Sequence, residues 1–250
     1  MNKVFEQIDA IPNLSPEKEE KLRICYKDLE KYGEDGIDPK IKDTIAYLNV
    51  LGFNTHESCE GHVDHGDLSA YIGMNAPEQP QWRFVGQEEA YEKAAQKHGV
   101  VLSEIFDYLK PKYDVLDWTP PENEEQLVLA SNEAWEETPK KQETEEFKLW
   151  RAKTDEMKEK LDLLVQEFYR ERNAAGDVRL EVSNGDDPEH RASYLFFLHN
   201  GGEDYENHVG YDEREKLSEE VLEVLRKRLE TRQNEMKNFT EFLKEKYRQS

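Results

Sequence analysis

The stretch Thr55-His56-Glu57-Ser58-Cys59-Glu60-Gly61-His62-Val63-Asp64-His65-Gly66 places three histidines, a thiol, three carboxylates and two glycines within twelve positions. Imidazoles, thiolates and carboxylates are the groups that ligate metal ions and move protons. Cys59, His62 and His65 stand in a C-x2-H-x2-H spacing, and a chain reversal at Gly61 would aim them at one cation. Zinc accepts sulfur and nitrogen together, and three protein ligands with a fourth position open is the arrangement of a catalytic centre. On this reading Cys59, His62 and His65 are the metal ligands. Ser58, Cys59, Gly61 and His62 line a ligand-binding loop, and Glu60 or Asp64 handles protons at a bound water, as in a hydrolase. A distant second ligand pair is missing from the spacing; His190, His199 and His208 are the remaining candidates.

Two other readings of the same residues stay open. Cys59 could be an attacking thiolate beside the amides of Glu60 and Gly61, activated by His62; the acidic neighbours Glu57, Glu60 and Asp64 argue against it, because negative charge raises a thiol pKa. Alternatively Cys59 packs at a strand end, Gly61 serves backbone geometry and the histidines face solvent. That packing account gives no reason for His62, Asp64 and His65 to occur together.

The elements that must position this cluster are legible on both sides of it. Ser15-Pro16-Glu17 starts a helix whose apolar stripe is Leu22, Cys25, Tyr26, Leu29 and Tyr32, with stop signals at Gly33 and Gly36. Cys25 belongs to that stripe and reads as a core residue. Asp38-Pro39 opens a second helix carrying Ile41, Ile45, Leu48 and Leu51 up to Gly52. Thr55–Glu60 and Ala70–Met74 read as strands, with Thr55, Glu57 and Cys59 on one face of the first. Val178–Val182 and Tyr194–Leu198 are two more, the last apolar on both sides and hence central.

Helical spacing from Phe147 through Trp150, Thr154, Met157, Leu161 and Leu164 to Phe168 gives a coiled-coil-like seam. A further helix is expected from near Asp212 to Tyr247, so segments 147–175 and 212–248 form a helical pair. Segment 119–146 opens on Pro120-Pro121 and is strongly acidic, which predicts a loop-rich insertion in which Trp135 docks onto the body. The fold expected is α+β over residues 1–250 as a single domain: a small, mainly antiparallel sheet backed by helices, with the long C-terminal helical pair extending from it. Strand order does not follow from the pattern.

Charge and composition narrow the function classes. A formal net charge of -22 repels phosphate backbones and anionic lipid, so nucleic acid is disfavoured as a partner while a basic protein is favoured. With 36% hydrophobic and 36% charged residues the chain suits helices that bury one stripe. Two cysteines in unlike contexts imply no disulfide framework, and no run approaches the ~20 apolar residues that span a bilayer. A cytoplasmic protein without a membrane partner is expected.

The residues Leu48-Asn49, Gly52-Phe53, Thr55, Ser58-Cys59-Glu60-Gly61-His62 and Tyr71-Ile72 resemble a group of uncharacterised bacterial and phage proteins with an S-C-x-G-H signature. The same segment is distantly similar to the tRNA wybutosine-synthesis methyltransferase family, whose asparagine and T-x-S-C-S-G-R motif parallel Asn49, Thr55, Ser58, Cys59 and Gly61. That resemblance implies a compact α+β fold and use of S-adenosylmethionine; Glu60 and His62 stand where the family carries serine and arginine. Three functions follow as expectations: binding of a metal ion or small ligand at Ser58–His65, a non-enzymatic interaction module acting through acidic helices, and a methyltransferase.

Overall fold

The computed structural model describes residues 14–32, 37–64, 68–109, 120–185, 194–201, 214 and 216–250. Helix α1 (Pro16–Leu29) begins where the proline and the hydroxyl direct it: Ser15 Oγ accepts the Lys18 amide at 3.4 Å, and Leu22, Tyr26 and Leu29 are buried. It tightens into a 3-10 turn at Glu30–Tyr32; Gly33 and Gly36 lie outside the described residues. Helix α2 (Pro39–Val50) buries Ile41, Ile45 and Leu48 with Thr44, Ala46 and Tyr47.

Four antiparallel strands follow in the order β1-β2-β4-β3, with β1 Thr55–Cys59, β2 Tyr71–Met74, β3 Leu180–Asn184 and β4 Phe196–Asn200. Ile72 lies opposite Leu198 and Leu198 opposite Val182, a row on the face that packs on the helices. Cys59 lies opposite Tyr71 and Tyr71 opposite His199, a row on the other face. The register slips between Thr55 and Glu57, pairing Thr55 with Met74 but Glu57 with Gly73. This bulge at His56 takes Thr55 out of the alternation it was expected to share with Glu57 and Cys59.

The two later strands sit two residues beyond their expected positions. A turn in which the Val178 and Arg179 amides donate to Ala175 O removes Val178 from β3. At the far end His199 and Asn200 extend β4, because Ser183 Oγ and His199 Nε2 lie 2.8 Å apart and Asn200 Nδ2 donates to Val178 O at 2.7 Å. Polar residues with partners of this kind are tolerated in a central strand.

Two compact units divide the chain. Among the described residues, one takes those up to Ala76 and from Thr154 onward, and the other takes 77–153. The second contains helices α3 (Gln87–His98), α4 (Leu102–Leu109) and α5 (Glu124–Glu137). Its core joins Tyr91, Ala94, Ala95, Ile105, Leu127, Ala130 and Ala134, and the Tyr91 ring stacks on Phe106. The acidic segment 119–146 is therefore not loop-rich throughout: α5 fills much of it, because Leu127, Ala130 and Ala134 at three- and four-residue spacing supply one buried stripe. Trp135 lies within the same unit, its ring 6.2 Å from Phe84.

Helix α6 (Glu145–Phe168) carries the expected seam, with Phe147, Trp150, Thr154, Leu161 and Phe168 buried. The C-terminal helix α7 (Glu219–Gln249) starts later than expected, at a Ser218 cap whose Oγ accepts the Val221 amide. It meets α6 through Phe168 against Phe239 and Phe242 and through the Glu167–Lys246 ion pair. It also packs along α2, where the buried hydroxyls of Thr44 and Thr240 are 2.7 Å apart and Lys244 pairs with Asp43. The fold is α+β, with the small sheet covered by α1, α2, α6 and α7.

Cys25 fits its place in the α1 stripe: it is half-buried, and its Sγ donates to Ala46 O at 3.6 Å. Burial pushes the thiol up to about 11, partly offset by Asn49, while the nearby Asp28 charge adds to the rise. Because the neutral form is the favoured one, the thiolate fraction at pH 7 is ~10⁻⁴. Site-resolved alkylation of the native protein should therefore give a Cys25 rate that climbs with pH toward 11. A profile levelling near pH 8.5, as for a solvated thiol, would contradict this environment.

Candidate functional site

Cys59 ends β1, and the chain turns directly after it. Gly61 makes the turn with φ +84°, in the region that L side chains rarely adopt. A Cβ there would lie 2.6 Å from Leu229 Cδ1 and 3.0 Å from the Ser69 carbonyl carbon, so this position needs glycine both for conformation and for room. Gln233, one helical turn beyond Leu229 on α7, donates from Nε2 to Glu60 O at 3.0 Å and to Gly61 O at 3.2 Å. The buried Arg214 donates from Nη1 to His62 O at 3.1 Å. The loop's carbonyls are thus held from outside, and its amides are left to face inward.

Those amides meet side chains. The Glu60 N–H donates to Asp38 Oδ2 at 2.9 Å, and the Gly61 N–H points at Cys59 Sγ at 3.3 Å. Asp38 is the residue preceding α2, yet its side chain caps nothing on that helix. The vacant role is taken by Glu60, which accepts the Lys40 amide at 3.0 Å and lies 3.4 Å from Lys40 Nζ. Asp38 holds the loop while Glu60 holds the helix, a reciprocal pair of caps joining residues 22 apart in sequence.

His62 completes the arrangement, with Nε2 3.3 Å from Asp38 Oδ2. One ligand atom each from Asp38, Cys59 and His62 lies within 4.8 Å of the other two, and all three side chains are half-buried. In a tetrahedral zinc site with bonds of about 2.0–2.3 Å, ligand atoms stand ~3.3–3.7 Å apart. The Asp38–His62 separation already has that value, and any wider separation in the triad closes by at most about 1 Å. Oxygen, nitrogen and sulfur donors in one set suit a borderline-soft divalent ion.

The residues singled out from sequence are not all gathered. Cys59 and His62 meet, and Gly61 makes the turn between them. Ser58 stands opposite Ile72, on the sheet face away from Cys59. Glu60 has its carboxylate turned to Lys40, while the exposed Asp64 lines a cavity of about 1170 Å³ that also reaches His62, Arg214 and α7. His56 is exposed, with Nε2 2.8 Å from Asn54 Nδ2. His65, expected as the third metal ligand, lies outside the described residues, as do His190 and His208, while His199 sits buried in β4. Asp38, Gln233 and Arg214 were not anticipated. Comparison with protein-family models, with curated proteins and with solved structures finds no match to this chain.

Gly52 gives a control for the close approach at Gly61: it has φ +95° but nothing within 4 Å of an added Cβ. Gly52→Ala should cost only the backbone strain of about 1–2 kcal/mol. Gly61→Ala should add the overpacking against Leu229, for about 2–4 kcal/mol in all. Urea denaturation of the two variants measures the difference; equal losses would remove the Leu229 contact from the account.

Proposed function

We propose that the protein binds a zinc-class divalent ion through Asp38, Cys59 and His62 and presents it to a small ligand. The observation that carries this reading is the mutual approach of a carboxylate oxygen, a thiol sulfur and an imidazole nitrogen to within 4.8 Å, in a half-buried setting built by three separate elements. Magnesium and calcium prefer all-oxygen shells, whereas zinc accepts a thiolate and an imidazole together. Three protein ligands leave a fourth position for water or substrate. The cavity beside His62 gives that position room, and a bound water there would be acidified enough to act as a nucleophile near neutral pH.

Hydrolysis is the reaction class this arrangement suits, with the cavity-wall carboxylate of Asp64 as the group for proton transfer. Glu60, whose carboxylate accepts the Lys40 amide and stands beside Lys40 Nζ, has the structural role instead. A reducing, cytoplasmic setting accords with two free thiols, which would keep Cys59 available as a ligand. No helix among the described residues is long and apolar enough to cross a membrane.

Elemental analysis and thermal melting of zinc-loaded, dialysed protein test the proposal. About one equivalent of zinc should remain on wild type and raise its melting temperature, since binding to the folded state alone stabilises it. Asp38→Asn, Cys59→Ser and His62→Ala should each lose the metal and the zinc-dependent shift. Wild-type protein that dialyses to a metal-free state, with a melting temperature indifferent to zinc, would overturn the assignment.

A further inference from the structure

The cavity next to His62 is longer than a pocket for a small molecule requires. Its wall on α7 runs from Leu222 to Lys244, which at 1.5 Å per residue is about 33 Å. Drug-sized ligands fill cavities of roughly 300–1,000 Å³, whereas this one measures about 1170 Å³. An extended chain advancing about 3.3 Å per residue would occupy that length with about ten residues.

The charges on the wall identify the class of occupant. Five acidic and five basic side chains line the groove, so it offers no continuous positive track for a nucleic acid. Several of these charges already have partners, among them Lys40 with Glu60 and Lys244 with Asp43 and Glu241. Glu230 and Lys237 do not: both are exposed and neither makes an ion pair among the described residues. They sit seven residues apart on α7, two turns or about 10.5 Å. Between them the exposed Asn234 presents its amide to the same groove, while Gln233 is committed to Lys40 and the loop carbonyls. A free acid, an amide and a free base in sequence match the backbone and side chains of a polypeptide.

We infer that this groove binds an extended peptide segment of mixed charge, with a basic side chain of the peptide at Glu230 and an acidic one at Lys237. In an extended chain of the polyproline II type, three residues per turn at about 3.1 Å each, that separation corresponds to about three residues on one side of the peptide. The inference stands on the α7 wall and is independent of whether Asp38, Cys59 and His62 hold a metal.

Selection of a phage-displayed random decapeptide library against the full-length protein, at about 0.15 M salt to screen the general acidity, tests it. Enriched sequences should carry one basic and one acidic residue three positions apart. A synthetic peptide of the enriched sequence should bind Glu230→Lys and Lys237→Glu at least tenfold more weakly than wild type, and Lys93→Glu, a charge reversal outside the groove, as wild type does. Unchanged melting temperatures of the two charge reversals show that a loss is not unfolding. No enrichment above background, or a selected peptide whose affinity neither reversal weakens, would overturn the groove assignment whatever the metal analysis gives.

Discussion

The exchange of caps between Asp38 and Glu60 is the constraint on which the candidate site depends. A helix start leaves amides without partners, and an acidic residue before the first turn is the usual remedy. Here Asp38 accepts the Glu60 amide of the loop, and Glu60 accepts the Lys40 amide of the helix. The swap ties the beginning of α2 to the end of β1. It turns the Asp38 carboxylate toward Cys59 and His62, away from its own helix. Without it the thiol and imidazole would have no oxygen ligand beside them, and the loop would lose its fixed distance from the helix.

The remaining supports act on the opposite side of the loop. Leu229 fills the space that any side chain at Gly61 would need, and Gln233 holds two successive carbonyls. The Gln233 amide is fully committed, because its Oε1 accepts Lys40 Nζ at 2.9 Å while its nitrogen faces the loop. Helix α7 is itself anchored by packing against α2 and by Phe239 against Phe168. Core packing therefore fixes α7, α7 fixes the loop carbonyls, and the Glu60 amide holds the Asp38 carboxylate beside His62.

Much of this was legible in the chain itself. Period-two and helical patterns placed the four strands, their antiparallel character and the α6 and α7 helices, because burial of one face is what those patterns record. Errors fell where polar residues are held by particular partners: His199 and Asn200 extend a strand through Ser183 and Val178, and Ser218 caps α7 later than the apolar stripe suggested. Acidity concealed α5, whose buried alanines are a weaker hydrophobic signal than leucine. At the site, the types and spacing of Cys59, Gly61 and His62 were informative because they are local. Asp38 was already accounted for as a helix start, and nothing in its neighbourhood announces a partner 22 residues away. Gln233 and Arg214 act on backbone carbonyls from far along the chain and leave no pattern to read.

X-ray absorption at the zinc edge of the metal-loaded protein tests the central claim most directly, because it reports the identity of the donor atoms. One sulfur at about 2.3 Å with nitrogen and oxygen scatterers at about 2.0–2.2 Å is the result expected for Cys59, His62 and Asp38, with the sulfur lost in Cys59→Ser. A shell of oxygen and nitrogen alone, identical in wild type and Cys59→Ser, would mean that the capped loop does not bring these three side chains to one ion.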